Sequence, residues 1–407
     1  IGLTHQHLEE NEQQIYQVGS ADWLDNVQYV MAQARELDLE VDLTMGSGWS
    51  SGGPFIRDFP EQQLLAASSD LQGPLNREIA LPRPGAPFYS RPTNWIIANT
   101  IGGFDKNLQL RAAVIASIDR STTPATLSKL RNLPTGPKDD VVRLQLDGGE
   151  YRLSALYQNA TNHNVAASAY RDGRLASPVL DHLDRGGAQE FIEQLGEPWL
   201  QGLHPFKPQA FFIDSFELIG ELPWSSAFAA AFREQHGYPL QPYLPLLFRE
   251  YGESKYLNVI FPPRARYLGS QDMAERVRED YELTRQALFI SEFVQPVRDW
   301  MHSRGIALRL QAHGGYGDYL DVYQLADIPE AEGLFAGGSF EFLKLAASAG
   351  HIAGRSTISS ESFITMGRGY DALTLEDHYL LMGNAFAAGI TRTVYHGYAY
   401  HYELGSK

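Results

Sequence analysis

Amphipathic helix, short break, apolar strand, then a polar or glycine-rich loop: this order recurs along the chain and narrows the folds open to it. Ser20 can cap a helix whose apolar residues Leu24, Val27, Met31, Ala34 and Leu37 fall at helical spacing. A strand follows in which Leu39, Val41 and Leu43 alternate with Glu40, Asp42 and Thr44, and it opens into the glycine-rich run from Met45 to Pro54. Leu283, Ala287, Ile290, Val294, Val297 and Met301 step along one face of a later helix, with Pro296 expected to kink it and Gly305 to end it. Thr374 and Asp377 form a capping-box pair ahead of a helix that ends near Gly389. Strands are predicted at 1–4, 39–44, 210–214, 306–312, 326–330, 356–360 and 391–395.

Alternation of this kind implies a parallel sheet, and seven such strands predict an α/β fold of the (β/α)8 TIM-barrel type, with an eighth strand before Ile1 or beyond Lys407. Residues 60–205 break the rhythm. Proline and glycine clusters there separate short alternating runs, Leu110 to Ile118, Val141 to Leu146 and Tyr151 to Tyr157, that read as antiparallel strands. The expected organisation is a catalytic barrel from residues 1–59 and 206–407 with a β-rich insertion over 60–205. Ile1 is not an initiator methionine, so a longer or processed product is expected.

Composition excludes several classes of function. The chain has no cysteine, which removes disulfides, zinc–thiolate sites and thiol nucleophiles together. A net charge of -16 argues against a nucleic-acid or anionic-membrane partner, since either needs a basic surface. No apolar run approaches the roughly 20 residues of a membrane helix. Gly46, Gly48 and Gly52 miss the spacing of a dinucleotide-binding loop.

In a barrel the active site forms at the C-terminal ends of the strands, and five predicted ends carry polar residues. Phe211 to Ile213 leads directly into Asp214 and Glu217; Asp214 can cap a helix starting near Pro223 and Glu217 can be a solvated loop residue, but two acids ending an apolar strand at a barrel mouth favour function. Strand parity puts Thr357, Ser359 and Glu361 on one side, and Arg309, Gln311 and His313 on one face with Leu308 and Leu310 turned outward. Glu330 and Glu332 can form half of a calcium site, or can be a strand-end residue and a helix N-terminal acid. His396, Tyr398 and His401 follow the last predicted strand and suit stacking on, and hydrogen bonding to, a sugar ring. His5 and His7, at the end of the first predicted strand, keep open a metal-dependent amidohydrolase barrel.

The run from Glu40 to Pro54 resembles a characteristic stretch of the bacterial α-L-rhamnosidases of glycoside hydrolase family 106. Further matches follow in the family's order at Phe212 to Glu217, Gly237 to Leu240, Pro242 to Pro245, Arg309 to Gly314, Asp327 to Glu330, Ser359 to Glu361, and His396 to Tyr398. Ser50 departs from the proline usual after the family's Gly-Trp pair. The resemblance implies a (β/α)8 catalytic barrel within a longer chain bearing accessory β domains, calcium as cofactor, and a periplasmic or secreted location. It implies release of terminal α-L-rhamnose from an oligosaccharide, polysaccharide or glycoside, with inversion. Glu217 is then the general acid and Glu361 the general base, Glu332 being the alternative base. Asp214, Glu330 and Glu332 lie near sugar or calcium, and Trp49, Arg309, His313, His396 and Tyr398 contact substrate. Inversion needs a protonated acid, so burial or Asp214 should raise the pKa of Glu217. A catalytically silent carbohydrate-binding barrel fragment is the competing expectation.

Overall fold

The computed structural model describes residues 18–90, 103–166, 177–254, 262–334, 338–364 and 373–396. Ser20 accepts from the Trp23 backbone N–H at 3.2 Å and caps helix α1, Ala21–Glu36. The short strand β1, Leu43–Thr44, follows it. Four long strands come next: β2 (Gln62–Ala80), β3 (Gln109–Asp119), β4 (Thr126–Leu133) and β5 (Val141–Ala160), forming an antiparallel sheet in the order β2-β5-β3-β4. Period-2 alternation divides its side chains. Leu64, Ala112, Val114 and Leu156 join the main core, whereas Ala113, Ile115, Leu153, Ala155 and Tyr157 form a second cluster on the opposite face.

Helices α2 (Arg185–Phe191) and α3 (Glu197–Leu203), joined by a π turn, bury Phe191, Leu195, Trp199 and Leu203. The chain then alternates as predicted: β6 (Ala210–Ile213), a small hairpin of β7 (Ile219–Gly220) and β8 (Glu253–Ser254) enclosing α4 (Phe228–His236), α5 (Gln271–Leu288), α6 (Gln295–Ser303), β9 (Ala307–Leu310), α7 (Tyr319–Leu325), β10 (Ile328–Glu332), α8 (Phe340–Ile352), β11 (Ser359–Ser362), α9 (Leu375–Ala388) and β12 (Arg392–Tyr395). At the kink expected from Pro296, the helix widens into a π turn over Phe289–Val294, and the proline enters the first turn of α6. The wider turn accommodates a ring that lacks an N–H and crowds the preceding carbonyl. The capping box at Thr374 and Asp377 is present, and Gly389 ends α9 in the left-handed conformation.

All pairings in the order β1-β6-β9-β10-β11-β12 are parallel. This corrects the expectation of a closed (β/α)8 barrel. Six strands are described, and β1 and β12 are edges with no ladder between them among the described residues. Alternation dictates parallel pairing locally, but closure depends on strand number and stagger, which no single segment encodes. The predicted strand at 1–4 lies outside the described residues. Leu308, Leu310, Phe211 and Ile213 are buried in the main core, with the Trp300 ring of α6 stacked on Phe211 at 5.8 Å. Among the described residues, no helix is long and apolar enough to cross a membrane.

Candidate active site

Register gathers the polar ends of the parallel strands into two layers. Glu330 pairs with Ser359 and Glu332 with Glu361 across β10 and β11, so each layer holds residues from neighbouring strands on one face. In the deeper layer Glu330, fully buried, accepts from Arg309 at 2.5 and 2.9 Å, from Gln311 at 3.2 Å and from the Ser359 hydroxyl at 2.6 Å. Arg309 also reaches Asp42 at 3.3 Å, and its guanidinium lies over the Phe212 ring at 4.4 Å. Every oxygen of Glu330 is thus engaged and its charge is matched.

The upper layer is not balanced. Glu361 accepts from Gln311 at 2.8 Å, and one of its oxygens lies 2.5 Å from His396 Nδ1. His313, with no exposed surface, holds Nε2 2.7 Å from Glu332. Asp214 directly follows β6 and accepts from the Ser215 backbone N–H at 2.8 Å. Glu217, 9% exposed, receives a hydrogen bond from the Trp49 side chain, while its Oε2 is buried without a partner among the described residues. Ligand atoms of Glu217, His313 and Glu332 lie within 4.8 Å of one another.

These surroundings separate the titrations. Burial, then the charges of Glu332 and Asp214, push Glu217 up to about 8. Burial, then Glu361, pushes Asp214 up to about 7. Burial acts the same way on Glu361, but hydrogen bonds from His396 and Gln311 outweigh it and hold this carboxyl below its ordinary value. The hydrogen bond to Glu361 in turn raises His396. At neutral pH the rim carries a protonated Glu217 and an ionised Glu361.

The backbone holds Glu217 in place. Its φ of +45° is left-handed, a region that costs a non-glycine residue energy. Two hydrogen bonds flank it, Phe216 N–H to His313 O at 3.1 Å and Leu218 N–H to Gly314 O at 3.2 Å. Gly314 allows this approach, because a Cβ there would sit 2.2 Å from the Glu217 nitrogen. In the Trp49 loop, Gly52 plays a similar part: a Cβ would meet Pro178 O at 2.2 Å.

Glycoside hydrolase family 106, described as alpha-L-rhamnosidase, matches residues 179–404, more than half of the chain and every strand end of the rim except β1. The chain belongs to this family. No curated protein matches the chain in sequence. The solved structure of a rhamnosidase from Novosphingobium sp. PP1Y superposes with a TM-score of 0.60 at 16% identity, covering 97% of this chain and 50% of that one. That likeness shows a shared fold, and the chain spans half the length of that rhamnosidase.

Of the residues singled out in the sequence, Trp49, Asp214, Glu217, His313, Glu332, Glu361 and His396 surround this rim, and Arg309 with Glu330 lies beneath it. Tyr398, His401, His5 and His7 lie outside the described residues. Gly314, which supports Glu217, closes the matched run Arg309 to Gly314, whereas Glu61, which holds the next turn through Tyr316 at 2.8 Å, carries no signal in a single sequence. Glu61 reads there as one more surface acid, yet it is 2% exposed.

Proposed function

We propose that the chain is an inverting α-L-rhamnosidase that releases terminal α-L-rhamnose from a glycoside or oligosaccharide. The opposed titration of Glu217 and Glu361 at one rim carries this reading. Glu217, protonated up to about pH 8, donates its proton to the glycosidic oxygen as the bond to the anomeric carbon breaks. Glu361, ionised and oriented by His396 and Gln311, takes a proton from the water whose oxygen forms the new bond on the opposite face. Glu332 fits the role of base less well. It lies within 4.8 Å of Glu217, whereas inverting pairs stand about 6.5–9.5 Å apart to admit water.

Calcium belongs to this reading. Glu330 is saturated by Arg309, Gln311 and Ser359, so it has no oxygen to offer. Asp214 and Glu332 would hold the ion, and the burial that raises Asp214 and Glu217, reinforced by their acidic neighbours, marks a surplus of oxygen donors suited to a hard divalent cation. Bound there, it supplies a fixed positive charge for sugar hydroxyls.

Glu217→Gln and Glu361→Gln should each lower hydrolysis of nitrophenyl α-L-rhamnoside by about 10²–10⁴-fold with circular dichroism unchanged. Near-normal turnover by both variants would overturn the assignment. NMR of the first-formed sugar should show the β anomer, and the α anomer would require a nucleophile in place of the base.

A further inference from the structure

We propose that a second cleft beside Glu217 is the leaving-group subsite and takes a neutral, hydroxylated sugar. The inference rests on the glycosidase reading above. A cavity of about 490 Å³, within the roughly 300–1,000 Å³ usual for small-molecule pockets, opens against Leu218 and the turn Gly314 to Tyr316. Its other wall is charged, with Arg278, Glu282 and Arg285 from α5. Leu218 and Gly314 flank the acid directly, through the hydrogen bond that shapes its backbone. None of the lining residues comes from β10, β11 or β12, which carry Glu332 and Glu361. In an inverting reaction the acid stands on the leaving-group side and the base on the far face of the sugar. The aglycone must therefore extend from the flank of Glu217 away from Glu361, and the proposal assigns this cleft, which Glu217 adjoins through Leu218 and Gly314, to that flank.

The chemistry of the lining selects the ligand. Three arginines face four glutamates, and several are already paired: Arg285 with Glu282, and Arg249 with Glu253 at 3.0 Å. The Arg285 guanidinium is held over the Tyr316 ring at 5.2 Å. Arg278 and Arg285 each have a buried Nε with no acceptor among the described residues, so both gain a bond by shifting toward an oxygen-bearing ligand. An apolar aglycone leaves those donors unmet, and an anionic one meets the carboxylates of Glu275 and Glu279. A sugar hydroxyl accepts from guanidinium and donates to carboxylate, and so satisfies both.

The test compares kcat/KM for a rhamnosyl-glucose disaccharide and for nitrophenyl α-L-rhamnoside in the wild-type chain, Arg278→Ala and Arg278→Lys. Arg278→Ala should lose at least tenfold more on the disaccharide than on the aryl glycoside, with the difference in KM. Arg278→Lys, which keeps the charge and loses the planar fork, should lose less, and it carries the comparison if the alanine variant does not fold. Equal losses on both substrates, or a wild type that cleaves the aryl glycoside alone, overturn the subsite and leave the rhamnosidase reading standing. A wild type that cleaves neither overturns both.

Discussion

Two glutamates at one rim titrate in opposite directions because of what each touches. Glu361 has a glutamine and a histidine on its oxygens; Glu217 has one indole, one orphan oxygen and acidic neighbours. The raised carboxyl has a consequence for stability. A folded pKa of about 8 against an ordinary 4.5 means the folded state binds the proton more tightly than the unfolded chain. The stability tied to this group is fully present below the unfolded pKa and is lost as pH rises through about 8. Glu217→Gln cannot titrate. In the presence of a chelator, urea unfolding should therefore show wild type losing more stability than the variant between pH 5 and pH 8, by a few kcal/mol at most. Parallel curves would place the Glu217 carboxyl in an ordinary environment. The sequence marked both acids, since each lies at the end of a predicted strand, but which one keeps its proton depends on Gln311, His396 and Glu332, brought together only by cross-strand register.

The turn after β9 does for the acid what no side chain does: it accepts the two backbone hydrogen bonds on either side of Glu217. Gly314 has a φ of +76°, and a Cβ at that position would collide with the Glu217 backbone. Gly314→Ala should move the acid by a fraction of an ångström or more and lower kcat on the aryl rhamnoside by roughly a hundredfold, while the far-ultraviolet spectrum is retained. Unchanged kcat would show that the acid tolerates the displacement. The strands beginning near 210, 307, 328, 359 and 392 were legible because apolar alternation and helix caps are local signals. Closure was not, since six described strands leave two edges where eight were expected. Nor was the cleft on α5. Glu275, Arg278, Glu282 and Arg285 recur at helical spacing, and that pattern in isolation reads as a solvated face laced with ion pairs.

At the scale of the whole molecule, one buried carboxylate joins the antiparallel sheet to the candidate rim. Glu61 immediately precedes β2, and Thr161, whose hydroxyl donates to it at 2.9 Å, immediately follows β5. His163 lies 3.3 Å from the same oxygen, and Tyr316 donates to the other at 2.8 Å. The base of the long antiparallel β2–β5 ladder is thus tied to the turn that supports Glu217. A buried carboxylate deprived of a donor costs more than the lost bond is worth, because the orphaned oxygen stays desolvated. Tyr316→Phe keeps the ring against Phe289 and removes only the donor. It should destabilise the fold by about 1–3 kcal/mol and lower kcat, since the turn loses its anchor. Glu61→Gln, which still offers Tyr316 an acceptor, should retain more of that kcat. A Tyr316→Phe chain with wild-type unfolding and wild-type kcat would mean that the two sheets hold their relation without this link.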